Sequence, residues 1–392
     1  MNASGLKCYS LSPGCGYGDA TSQYLVGLQD LSIAVNWQPI GNFLGENQPR
    51  RNYLRNLQPE LSPKLTALLH RDISYDTVLI SLPPTDWYRE ILEFEQGKKL
   101  FGYFTWELER LPEAWVPVLN RLSGLMVPSR FNQLACRRSG VTVDIAVIPH
   151  LARRFHPAPK SPQWMSQYDN CYMFYTIGTW TTRKAIESTV RAFLDRFTAE
   201  DDVCLVIKTD AIDYIAQNAS TSTSICTTRE TCAFTLATLL SDYTNPARIH
   251  LLGTRVTTDI IDALHERGDC FVSMARSEGW GLASFDALQS GNPVIMPGFG
   301  GHIDYLHEDY PLLVDSQQVV LGNSPNERMF KDQQQQKWSE ASTSHAGELM
   351  ARVAADPEAA RLIAHARRNE ILERFTADTV CRQMADFMGM HI

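Results

Sequence analysis

Few of the features that assign a chain to a chemical class at once are present in this 392-residue sequence. No apolar run reaches the roughly 18 residues that a membrane-spanning helix needs, so no crossing of a bilayer is expected. The opening text MNASGLKCYSLSPG has neither the basic region nor the apolar stretch of a secretory leader. Nine cysteines, an odd number, lie scattered and never at C-x-x-C spacing. That argues against a disulfide framework or a zinc cluster and fits a reducing cytoplasm. H-E-x-x-H is absent and the ten histidines form no ligand pattern, so no metal site is expected. There is no G-x-S-x-G nucleophile elbow and no G-x-x-x-x-G-K-[ST] phosphate loop. The basic balance of a nucleic-acid binder is missing too, since the net charge is −8.

What remains is ordinary globular material, 44% hydrophobic and 20% charged, of a length that suits two domains. Charge is uneven, +3 over residues 1–160 and −11 over the rest. A mildly basic first part suits an anionic acceptor or peripheral contact with a membrane surface, and is equally well ordinary scatter. The apolar stretches LKCYSLS, VNWQPI, TVLISLP, KLFGYFTW, GLMVPS and DIAVIPH alternate with helical text, and a second series follows in CYMFYTIG, VCLVIKT, RIHLLG, DCFVSM and NPVIMP. Continuous apolar strands alternating with helices predict parallel sheets covered on both faces. Pro157, Pro159 and Pro162 mark a linker between the two series. The predicted fold is α/β, two doubly wound Rossmann-like domains facing a central cleft. Its parts are an N-terminal domain at 1–155, a linker at 156–168, a C-terminal domain at 169–370, and a terminal helix at 371–392 returning to the first domain. The stretch DSQQVVLGNSPNERMFKDQQQQKW has no clear periodicity and reads as a surface excursion.

The most unusual text is SEGWGLASFDALQSGNPVIMPGFGGH, from Ser277 to His302. DCFVSM before it reads as a strand and SFDALQS as a helix, which makes ARSEGWGLA the turn between them. Gly279 and Gly281 allow close backbone approach to a ligand, and the free amides of the following helix suit a phosphate. Glu278 precedes that helix and Asp286 lies about one turn into it. Two carboxylates beside a phosphate repel it, but they accept hydrogen bonds from sugar hydroxyls well.

These residues resemble the sugar-nucleotide signature of retaining glycosyltransferases of family 4, which have the two-domain GT-B fold. In that pattern, S-x-x-E-G-[FW]-G-L followed by E-A, two acids stand in E-x7-E spacing; Glu278 and Asp286 keep the spacing, with Asp for the second Glu. The resemblance implies that Asp286 holds the donor ribose, that Glu278 contacts the hexose, and that the stretch Gly279, Trp280, Gly281 and Leu282 meets the diphosphate or sugar. FYTIGTWTTRKAIESTVRAF resembles the opening of the family's second domain and offers Lys184 as the phosphate-binding lysine, in the first turn of a helix with the stripe Ile186, Val190, Phe193 and Phe197. Thr179 stands where many members carry an arginine, and Arg183 is the substitute donor-side cation. GYFTWELERLPEAWVPVLNRLSGLMVPSRF resembles the second half of the family's first domain. The family's histidine near there is missing, and Glu107 is the substitute catalytic candidate.

SPGCGYGD brings Gly14, Gly16 and Gly18 before a helix but is not G-x-G-x-x-G, and no acid ends the next strand. By the resemblance Gly16 lies in a loop over the donor phosphates and Asp19 contacts the acceptor. Lys208, ending VCLVIKT, is a further donor-binding candidate, and Gly300 and Gly301 offer a wall for the sugar. His150 reads as structural. No D-x-D pair occurs, so the metal-chelating device of the other common glycosyltransferase fold is missing. The implied activity is metal-independent and cofactor-free retaining transfer of a hexose, from a nucleoside diphosphate sugar to a glycan, lipid-linked or protein hydroxyl. The implied setting is polysaccharide or glycoconjugate synthesis, in the cytoplasm or at the inner membrane face. A catalytically degenerate partner subunit and a same-fold sugar-nucleotide epimerase or hydrolase stay open.

Overall fold

A computed structural model of the chain describes residues 5–40, 61–153, 162–219, 227–322, 330 and 332–391. Of the linker prolines, Pro157 and Pro159 lie outside the described residues, while Pro162 precedes the short 3-10 helix Gln163–Tyr168. The chain forms two compact units, one of Met1–Ala152 with Leu372–Ile392 and one of Arg153–Ile371.

The first unit is built on β1 (Gly5–Leu11), β2 (Val35–Ile40), β3 (Tyr75–Ser81), β4 (Lys99–Tyr103), β5 (Gly124–Val127) and β6 (Ile145–Val147). They form one parallel sheet in the order β2-β1-β3-β4-β5-β6. The second unit uses β7 (Tyr172–Ile177), β8 (Val203–Thr209), β9 (Arg248–Gly253), β10 (Cys270–Val272), β11 (Val294–Pro297) and β12 (Leu313–Val314). Their order, again all parallel, is β12-β11-β10-β7-β8-β9. β5 and β11 are buried at every residue, which explains their unbroken apolar text: helices cover both faces, so no polar side is needed. At the edge, β9 is half-buried throughout, and it is there that Arg248 and His250 are tolerated. Two doubly wound Rossmann-like α/β units are thus what the strand text predicted.

Part of the stretch read as a surface excursion forms a two-stranded hairpin, while residues 323–329 and 331 of it lie outside the described residues. β13 (Ser316–Val320) and β14 (Lys337–Ala341) pair antiparallel, with Val319 opposite Trp338. Trp338 and Ser339 are buried while Lys337 and Glu340 face outward. Each strand has five residues and neither alternates buried with exposed positions, so no strand pattern stands out in the Gln-rich text.

In the first unit the terminal helix Ala377–Phe387 buries Val380, Cys381, Met384 and Ala385, one stripe at helical spacing. It meets the helix Gly16–Asp30 at Gly27, where a β-carbon would lie 2.5 Å from the Cys381 sulfur. Phe387 packs edge-on against Phe101 of β4 with centroids 5.8 Å apart. Gly27→Val is therefore expected to destabilise the first unit by about 1–3 kcal/mol, the usual cost of overpacking, read as a lower urea midpoint.

His150 is also a core residue of this unit. Its Nδ1 lies 3.0 Å from the Tyr24 hydroxyl, which in turn lies 2.8 Å from the Tyr103 hydroxyl. Burial lowers the His150 pKa to about 3, so the folded ring is neutral. An unfolded histidine takes up its proton near pH 6.5, so between those two values the unfolded chain binds the extra proton. Stability should then fall with acidification from pH 6.5 toward 3, by up to about 1.4 kcal/mol per pH unit for this group. His150→Asn should flatten the profile, measured as urea unfolding free energy at pH 7 and pH 5.

Candidate active site

Ligands of open parallel sheets gather where neighbouring strands send the chain in opposite directions. In the second unit that point lies between β7, which leads on to β8 on one side, and β10, which leads on to β11 on the other. The loops after these two strands carry residues 178–185 and 273–281. They bring Lys184 and Glu278 into direct contact.

Glu278 is 8% exposed and sits between two cations. One carboxylate oxygen accepts a hydrogen bond from the Lys184 ammonium, and the other lies 3.3 Å from Arg183 Nη1. Arg183 Nη1 also donates to the Ser277 carbonyl at 2.8 Å. Burial by itself pushes the Glu278 carboxyl up, but Lys184 and Arg183 outweigh it and hold the pKa at about 2. The carboxylate is accordingly ionised at any ordinary pH. Its backbone is pinned as well, because the Gly301 amide donates to the Glu278 carbonyl at 2.7 Å. A β-carbon on Gly300 (φ +126°) would come within 2.7 Å of that same carbonyl oxygen, so only glycine fits.

Lys184 lies outside the helix expected for it. The helix Ile186–Leu194 begins after Ala185, which is left-handed (φ 46°), and residues 181–185 form a turn closed by the Ala185 amide on the Thr181 carbonyl at 3.1 Å. The apolar stripe of Ile186, Val190 and Phe193 is buried as its spacing predicted, but the side chains before it have other partners. The Lys184 stem lies over Gly178, where a β-carbon would stand 3.4 Å from its Cδ.

The helix Leu282–Gln289 follows with Gly281 at its N-cap (φ 86°) and no side chain capping its amides. Ser284 Oγ instead donates to the Gly281 carbonyl at 2.8 Å and lies 2.7 Å from the Tyr305 hydroxyl. A small cavity here is lined by Ile177, Lys184, Ser273, Glu278, Gly281 and Ala283. Gly279 is buried and Leu282 half-buried beside it. The Trp280 indole is 1% exposed and packs against Phe285 and Tyr305, with centroids 5.1 and 5.0 Å away, which leaves its backbone as the part beside the cavity. Asp286 is held by a residue that the sequence did not single out. Arg153 Nε donates to it at 2.9 Å, Arg153 Nη1 lies 2.8 Å from Asp262, and Gln289 donates to Asp286 at 3.3 Å.

Of the remaining candidates, Thr179 is half-buried in the loop after β7. Lys208 is the penultimate residue of β8, and its carbonyl accepts from the Gly178 amide at 3.0 Å. Burial lowers the Lys208 pKa. Gly16, Asp19 and Glu107 belong to the first unit. Gly16 opens the helix Gly16–Asp30, and Asp19 accepts the Gly14 amide at 2.8 Å within its own turn. Glu107 is half-buried after β4, next to Trp106, whose amide donates to Asn132 at 2.9 Å. Among the described residues no group of His, Cys, Asp and Glu has the makings of a metal site, and no helix is long and apolar enough to cross a membrane.

Comparison with known proteins agrees with this architecture. Residues 235–384, which include the signature loop and Asp286, match the family model described as Family 4 Glycosyltransferase in conflict systems. No curated protein matches the chain. Among solved structures, Anabaena HepE in complex with UDP and glucose is similar at a TM-score of 0.66 and 14% identity, over 98% of this chain and 99% of that one. Sucrose-phosphate synthase from Thermosynechococcus elongatus is similar at 0.67 and 16%, over 98% of each chain. A glycosyltransferase from Rickettsia africae is similar at 0.69 and 14%, over 99% of this chain and 98% of that one. Residues 235–384 are thus similar in sequence to a family 4 glycosyltransferase model, and nearly the whole chain shares the two-unit fold of the similar glycosyltransferase structures.

Proposed function

We propose that the chain transfers a hexose from a nucleoside diphosphate sugar to a hydroxyl acceptor, with retention at the anomeric carbon and without a metal ion. The observation that carries this reading is the convergence of Lys184, Arg183, Glu278 and an uncapped helix end at the switch point of the second sheet. Two cations share one carboxylate there, so the cluster keeps a net positive charge for a diphosphate. An arriving diphosphate competes with Glu278 for Lys184 and Arg183, and the released carboxylate is free to accept hydrogen bonds from hexose hydroxyls. In the transfer, the bond from the anomeric carbon to the diphosphate oxygen breaks and a bond to the acceptor oxygen forms on the same face. The acceptor proton passes to the departing phosphate oxygen. Lys184, Arg183 and the amides of Gly281 to Ser284 are placed to absorb the charge that develops on the leaving group. Asp286 takes the ribose hydroxyls in this reading while keeping Arg153 as its counter-ion. Lys208 and Gly16 serve the donor, Asp19 the acceptor, and Glu107 the reacting centre. The acceptor is a glycan, lipid-linked or protein hydroxyl, and the first unit contacts the membrane face if the acceptor is lipid-linked. UDP in the similar HepE structure makes a uridine donor the first to test.

The test is a thermal-shift panel of UDP-, GDP-, ADP- and dTDP-sugars. A donor at a hundredfold over its dissociation constant should stabilise the protein by about 2.7 kcal/mol, with the shift lost in Glu278→Ala and Lys184→Ala. Turnover with that donor in the presence of a chelator, and the anomeric configuration of the product by NMR, then check the mechanism. Absence of a shift with every donor would overturn the reading in favour of a partner subunit.

A further inference from the structure

We infer that Arg276 is a positioning residue for the diphosphate site, held in place by the β13–β14 hairpin; the inference rests on the reading above that Lys184 and Arg183 receive the diphosphate. The two cations sit on a turn closed by the Ala185 amide on the Thr181 carbonyl. That closure is opposed by the left-handed Ala185, a conformation that costs a residue with a β-carbon about 1–2 kcal/mol, so support from outside adds to it. Arg276 supplies that support. Its amide donates to the Arg183 carbonyl at 2.7 Å, and its Nη1 reaches the Thr182 carbonyl at 3.4 Å.

Arg276 is itself fixed by β14. This strand pairs with β13 on one edge, and beyond it the Ser339 amide donates to the Arg276 carbonyl at 2.8 Å. The guanidinium lies over the buried Trp338 ring, 5.0 Å from its centroid, and its Nη2 is 3.0 Å from Glu340 Oε1. Side chains of β14 therefore grip both the face and the end of one arginine, and that arginine orients two successive carbonyls of the cation-bearing turn. Stacking and a forked contact together require a planar guanidinium, which a lysine does not offer. The Gln-rich excursion thus has a task in aligning Arg183 and Lys184 toward Glu278.

The experiment is calorimetric titration of wild type, Trp338→Ala, Trp338→Phe, Arg276→Lys and Glu340→Gln with the nucleoside diphosphate selected by the panel and with its monophosphate. Trp338→Ala and Arg276→Lys should weaken the diphosphate about tenfold, the scale of a desolvated stacked cation, and leave the monophosphate within about twofold. Trp338→Phe keeps an aromatic face and should restore most of the loss. Glu340→Gln, at a half-exposed position, should shift the diphosphate alone in the same direction by a smaller factor even if Trp338→Ala folds poorly. Equal weakening of both ligands, or a lowered melting temperature with unchanged diphosphate affinity, overturns the inference while leaving the glycosyltransferase reading intact. A wild-type protein that binds no nucleoside diphosphate overturns both.

Discussion

A carboxylate buried as deeply as Glu278 is tolerable only if opposite charge comes to it, and much of the second unit's local geometry follows from that requirement. Lys184 and Arg183 come from the loop after β7, Glu278 from the loop after β10, and the strand order alone brings the loops together. The Glu278 carbonyl is then fixed by Gly301, and the loop before it is fixed by β14. Each device holds backbone, leaving the three charged side chains free to change partners. A pocket that is to trade an internal anion for an external one needs that division between rigid main chain and exchangeable charge.

The two acids of the signature differ in how they are neutralised. Glu278 has Arg183 and Lys184, the latter lining the cavity, whereas Asp286 has Arg153, which it shares with Asp262, and a glutamine from its own helix. The first arrangement can be displaced by a ligand phosphate. The second is a structural counter-ion, able to stay in place while a carboxylate lone pair is used elsewhere.

The fold was legible because strands buried on both faces write themselves as apolar runs. The signature loop was legible because its glycines serve a local need. What escaped the sequence depended on partners far away along the chain. Arg153 and Arg276 look like any other surface arginine until Asp286 and Trp338 are seen beside them. The start of the helix after Lys184 was misjudged because TTRKA contains nothing hostile to a helix; the left-handed Ala185 is imposed by its surroundings. The hairpin escaped because its pairing joins two short segments across intervening residues, and only Trp338 hints that one of them is buried.

Gly178 is silent in all of this chemistry, yet the methylene stem of Lys184 lies over it, at the distance where a β-carbon would make an ordinary contact with Cδ, 3.4 Å away. A methyl group there would touch the stem and leave it in place, whereas a larger side chain would claim the volume the stem fills. The reach of the ammonium is therefore bounded by the size of an uncharged neighbour, and bulk at position 178 would move the lysine without removing it.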